Sequence, residues 1–167
     1  MMPWKRTMLS TAAALFVVMA LLLLSVATAA AAGAGAASFT QTFHNATDSF
    51  PTANPCSGAP GTASLTYNGV FHVTQLTSGQ GAGTFWATGT MTGAFVFTPD
   101  DASQPIFTGH FASWFGDNNN LRSGTETSIF NLHGTGSDGS SLQFHDVAHL
   151  SVSATGVTVF FDKPSCG

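Results

Sequence analysis

From Ser141 to Val152 the chain alternates without a break. Leu142, Phe144, Asp146, Ala148, Leu150 and Val152 fall on one set of positions, and Ser141, Gln143, His145, Val147, His149 and Ser151 on the other. Successive side chains of a β-strand point to opposite faces, so this period of two predicts a half-buried strand. Ser153-Ala154-Thr155-Gly156 then predicts a tight turn. Val157, Val159 and Phe161, alternating with Thr158, Phe160 and Asp162, predict the return strand of a hairpin.

The same rule finds strands upstream. Phe39, Gln41 and Phe43 share a face in a first strand, and Phe50-Pro51 through Pro55-Cys56-Ser57-Gly58 predicts a break, since each proline removes a donor and restricts its predecessor. Leu65, Tyr67, Gly69, Phe71 and Val73 alternate with polar neighbours and stay in phase through Asn68-Gly69. One continuous strand with a closely packed or bulged glycine is therefore expected there, rather than a turn. After a Gly-rich connection from Thr77 to Gly83, Phe85, Ala87, Gly89, Met91, Gly93, Phe95 and Phe97 line one face of a long strand. Thr98-Pro99-Asp100-Asp101 predicts a turn, and Phe107, Gly109, Phe111, Ser113 and Phe115 line the next strand, opposite Ile106, Thr108, His110, Ala112 and Trp114. Gly116 to Asn120 reads as a polar loop, Arg122 to His133 as a weakly patterned strand, and Gly134 to Gly139 as the turn into the last hairpin.

No window carries a helical period. The pattern predicts an all-β domain, a small antiparallel up-and-down β-barrel of about seven to eight strands, with a β-sandwich as the alternative arrangement. Leu65, Phe71, Phe95, Phe111, Phe144, Leu150 and Val159 are its expected core.

The first residues follow a different rule. Trp4-Lys5-Arg6 is a short positive segment, Ala12 to Leu24 is almost wholly apolar, and Ala27-Thr28-Ala29 offers small residues for cleavage. This predicts a secretory signal peptide over residues 1–29, with the cut between 29 and 37. The apolar run, about 13 residues, is shorter than the roughly 20 of a membrane-spanning helix, so no membrane span is expected after cleavage. An Ala/Gly leader over 30–38 precedes a single β domain over 39–167, placed outside the cell.

Removing the leader changes the charge. Only Arg122 and Lys163 remain against eight acids, a net charge of −6. Nucleic acid needs clustered Lys and Arg, so that partner class is excluded, and the same deficit disfavours an anionic membrane surface. The two cysteines, Cys56 and Cys166, predict one disulfide joining the start of the domain to its end.

Asn54-Pro55-Cys56-Ser57-Gly58, Gly69-Val70-Phe71-His72-Val73, and Phe144 to Val152 running on to Pro164-Ser165-Cys166 resemble the corresponding segments of a group of small uncharacterised secreted proteins of actinobacteria. The shared features are an N-P-C loop, a G-x-x-H-x-V strand, an H-E-x-x-H-like hairpin and a terminal cysteine. This chain departs from the group in its Phe-rich middle strands and at Asp146, where Glu would be expected. The resemblance implies a bacterial exported domain and no particular activity. A more distant similarity to lipocalin-like and allene-oxide-cyclase-like barrels is one of fold alone.

Candidate chemistry is sparse. His145 and His149 share a strand face, but their Cα atoms would lie about 13 Å apart, too far to ligate one metal, so no metal site or cofactor is expected. Asp146 falls among apolar positions, where a carboxylate is costly without a partner; Arg122, Tyr67 and His110 are the partners considered. Fourteen of the fifteen phenylalanines follow the leader. With Gly89, Gly93 and Gly109 they either fill the interior or line a hollow. Tyr67, Phe71, Phe95, His110, Phe111, Phe144 and Asp146 are accordingly the candidate ligand-lining residues. A secreted binding or structural module is expected, with a small apolar molecule as the possible ligand. An isomerase- or cyclase-like enzyme using an inward-facing Asp146 is the alternative, though no catalytic motif accompanies it.

Overall fold

A computed structural model of the protein describes residues 35–120 and 122–167. The expected signal peptide and the start of the expected Ala/Gly leader lie outside the described residues. Eight strands are formed: β1 (Ala36–Ala53), β2 (Pro60–Leu76), β3 (Phe85–Pro99), β4 (Phe107–Asn119), β5 (Ser123–Gly136), β6 (Ser141–Ser153), β7 (Gly156–Asp162) and β8 (Ser165–Cys166). They make one antiparallel sheet in the order of the chain, β1 to β7, with β8 pairing β6 beside the end of β7.

The expected all-β, up-and-down architecture is therefore present, with three local differences. β1 begins at Ala36, inside the expected leader, and runs on through Pro51 to Ala53, where a break was expected. β1 lies at the edge of the sheet, so a missing amide donor can face outward at no cost to a ladder. β4 continues through Gly116 to Asn119, because these polar residues pair on both sides, with β3 and with β5. Val159 is 47% exposed on the short edge strand β7 and is not core. Gly69, in contrast, sits in an unbroken β2, and the irregularity falls on the facing strand at Asn45, whose φ is 49°.

The alternation rolls the sheet. Ala63, Phe95, Phe97, Phe111, Leu132 and Leu142, drawn from five successive strands, form one buried cluster, with Phe50, Leu65, Tyr67, Met91, Phe107, Phe130 and Phe144 packed against it. Flat sheets cannot bring one face of β2 to β6 onto itself; a strongly twisted and rolled one can. Ring-to-ring contacts run through this interior, Phe71 to Phe115 at 5.8 Å and Phe111 to Phe130 to Phe144 at 6.1 Å each. The phenylalanines fit where glycines leave room. The ring of Phe115 occupies the space a side chain at Gly89 would need, and that of Phe95 reaches across β4 to Gly134.

Cys56 and Cys166 are disulfide-bonded, with Cα atoms 5.7 Å apart. Cys56 follows β1, whereas β8 occupies the outermost position beside β6. At about 4.8 Å per strand these places would lie nearly 30 Å apart in a flat sheet. The sheet must therefore curl until its two edges meet at this end. Hydrogen-bonded closure is not made: among the described residues no ladder joins β1 to β7 or β8, and the covalent bridge spans the seam.

Phe95→Ala should cost about 3–5 kcal/mol in a denaturant titration, since it empties the centre of this cluster. Val159→Ala should cost less than about 1 kcal/mol. Equal costs at the two positions would contradict the assignment of the core.

Candidate functional site

Two features could carry function: the polar groups turned into the rolled interior, and the outer face of the sheet. Five of the eight acids fall on the inner-face side of their strands, four of them at least half-buried and Asp48 exposed at the edge strand. By register Asp48, Asp117, Glu126, Asp146 and Asp162 all stand on the inner face with the phenylalanines. They are handled in pairs or by a hydroxyl. Tyr67 donates to Asp48 Oδ2 at 3.3 Å, and its own ionisation is pushed up by burial and by Asp48. Asp117 faces Glu126 directly across β4 and β5, and burial together with that neighbouring charge raises the Asp117 carboxyl.

Asp146 is the most buried of these, 3% exposed. Its partner is Asp162, which β7 places opposite Ala148, one inward position along. Neither Asp146 Oδ1 nor Asp162 Oδ1 is accessible, and neither has a donor. Two ionised carboxylates repel each other in this contact, which favours the protonated form of Asp146. Burial first, and Asp162 second, push the Asp146 carboxyl up to about 6, against smaller opposing pulls from His145 and the amide of Lys163.

The candidate residues divide accordingly. Phe71, Phe95 and Phe111 are buried and Tyr67 and Phe144 pack beside them, so five of the seven share the interior with Asp146. His110 does not join them. It is exposed on the outer face, opposite His133 on β5. Arg122 is exposed at the β4–β5 turn. The partner of Asp146 is thus none of the three considered from sequence. Asp162 was legible only as a member of the Thr158, Phe160, Asp162 set; its contact depends on the hairpin register. Of the glycines that suggested a hollow, Gly89 is covered by the ring of Phe115, while Gly93 and Gly109 lie against Tyr67 and the backbone of His133; the ring of Phe95 reaches Gly134. A shallow groove of about 220 Å³ opens instead beside β8, between His133, Gln143, His145 and Gly167, and Asp146 is not in its lining. That volume is below the roughly 300 Å³ at which small-molecule pockets begin.

The outer face is built differently. Across β1 to β6 it bears no Asp, Glu, Lys or Arg; Thr, Ser, Asn, Gln and His fill most of it. Cross-strand hydrogen bonds order these side chains. Thr40 Oγ1 and His72 Nδ1 lie 2.7 Å apart, as do Thr127 Oγ1 and His149 Nδ1, and His145 Nδ1 donates to Asn131 Oδ1 at 2.7 Å. The imidazoles are engaged by hydroxyl and amide neighbours, and among the described residues no three His, Cys, Asp or Glu side chains are placed to hold a metal. Trp86 and Trp114, each 39% exposed, and Val70 and Val96 rise from this surface.

No protein-family model, curated protein or solved structure matches the chain.

The carboxyl pair makes a signed pH prediction. Asp146 holds its proton more tightly folded than unfolded, so the folded state gains from protonation below the unfolded value near 3.8 and loses that gain as pH rises to about 6. Denaturation midpoints of the native protein should fall between pH 4 and pH 7. Those of Asp146→Asn should fall less, leaving the variant the more stable of the two at pH 7. Parallel pH profiles would show that the Asp146 carboxyl is not raised in the folded state.

Proposed function

We propose that this is an exported, disulfide-tied β domain that binds an extracellular partner through the outer face of its sheet and performs no chemistry on it. The observation that carries the reading is the contrast between the faces. The inner one is filled with aromatic rings, while the largest side chains left in contact with solvent inside the sheet, Trp86 and Trp114, stand on a face without formal charge. Burying an indole is worth several times more than burying a small side chain, so exposed tryptophans in ordered strands are natural contact points for a partner. Export is supported by the leader residues, by the disulfide, which suits an oxidising compartment, and by the resemblance to secreted bacterial proteins.

Both interior readings lose support. A small apolar ligand would need the space that Phe115 and Phe95 occupy, and an isomerase-like acid would need Asp146 to reach a substrate, whereas it is closed off against Asp162.

The test is retention of the purified exported protein on immobilised extracellular materials (cell-wall fractions, polysaccharides and matrix proteins), alongside titration with an apolar fluorescent probe. At least one material should retain the native domain and release the folded Trp86→Ala/Trp114→Ala variant, with no saturable probe uptake. Retention indifferent to the double substitution, or stoichiometric probe uptake displaced by lipid-like ligands, would overturn the reading.

A further inference from the structure

Gly116 leaves room on the outer face for the ring of a neighbouring tryptophan. The ladder pairings align Thr40, His72, Thr88, Gly116, Thr127, His149 and Phe161 in one row across β1 to β7. The row is short and polar over most of its length, and at β4 it has no side chain at all. The indole of Trp114 leans along β4 over that position: a Cβ at Gly116 would meet its benzo ring at 3.0 and 3.1 Å. Trp86 opposes Asn118, two residues from Gly116 and hence about 7 Å along the strand on the other side of the row. At one end His149 stacks on Phe161, with ring centroids 5.5 Å apart. The row is thus a strip of hydroxyl and imidazole groups, covered at Gly116 by the Trp114 indole and flanked on β3 by Trp86.

We propose that this strip, with its two exposed indoles, binds a neutral glycan chain laid across the strands. The inference rests on the outer-face reading above and names its partner class. A sugar ring combines an apolar C–H face, which suits an indole, with hydroxyls that donate and accept, which suits Thr, His and Asn. The absence of charge removes the contacts that a nucleic acid, an anionic polysaccharide or an acidic lipid would need. An extended peptide is a poorer match. Lying on the face of a sheet it would leave its own amides and carbonyls without a ladder, and peptides of that kind add to sheet edges instead.

The exported protein is run in native gels containing soluble neutral polysaccharides (a mixed-linkage glucan, xylan, dextran) or anionic ones (polygalacturonate, chondroitin sulfate), and its tryptophan emission is followed with oligosaccharides of the retarding polymer. Retardation by at least one neutral polymer is expected, unchanged by salt between about 50 and 500 mM. Trp86→Ala and Trp114→Ala should each weaken it about tenfold. Gly116→Val, which displaces the Trp114 ring while keeping both tryptophans, should weaken it as well, and circular dichroism confirms that each variant is folded. If neutral polymers cause no retardation while protein or lipid materials still retain the domain through Trp86 and Trp114, the glycan assignment fails and the outer-face reading survives. Retardation only by anionic polymers, or indifferent to all three substitutions, overturns this strip as the site.

Discussion

The structure depends on the fit of phenylalanine rings onto glycines across neighbouring strands of one face. Where Phe115 covers Gly89 and Phe95 reaches Gly134 over the bare Gly109, the strands can curl far more tightly than a face lined throughout by large side chains would allow. Curling brings residues from β2 to β6 into one cluster, and it carries β8 round to Cys56. The disulfide then holds the seam, closing a separation of 110 residues; chain-entropy arguments value a loop near that length at about 4.7 kcal/mol. Ring packing sets the curvature, and the bridge fixes its end point.

That curvature decides where polarity can go. A rolled sheet with an aromatic interior would be expected to display its carboxylates, yet most of them face inward, paired with one another or with Tyr67, while rows of threonine keep the outside wet. The Asp146–Asp162 contact carries the cost of this arrangement: burial and the neighbouring carboxyl raise Asp146, so it keeps its proton to a higher pH than a free aspartate does. The pair lies where the short strand β7 meets β6, and Phe160 on that strand remains 67% exposed. The outer face, relieved of charge, is left with surface chemistry suited to neutral partners.

Much of this was legible in the sequence, because a period of two is a direct image of two faces. The strand positions of Phe95, Phe111 and Phe144, the continuity through Gly69, and the pairing of Cys56 with Cys166 all follow from patterns local to the chain or from a count of cysteines. What was not legible depends on neighbours. Pro51 is compatible with a strand only because β1 is an edge, and Gly116 to Asn119 are strand only because two flanking strands offer ladders. The partner of Asp146 required knowing that β7 returns with Asp162 opposite Ala148. His110 was on the page as a neighbour of Phe111, and the alternation that buries Phe111 is what turns the imidazole outward. The outer-face row lay hidden for the same reason, since Thr88, Gly116, Thr127 and His149 come from four strands and share nothing in sequence.

All of this rests on which face is inside, and a register slip of one residue would invert it. Trp86 and Trp114 are the only tryptophans among the described residues, so in a protein lacking residues 1–34 they report on the outer face alone. The direct measurement is quenching of native tryptophan emission by acrylamide. The account predicts emission at long wavelength, quenched in the folded protein almost as readily as in the denatured one. Short-wavelength emission shielded from acrylamide until the protein unfolds would place the indoles in the core and contradict it.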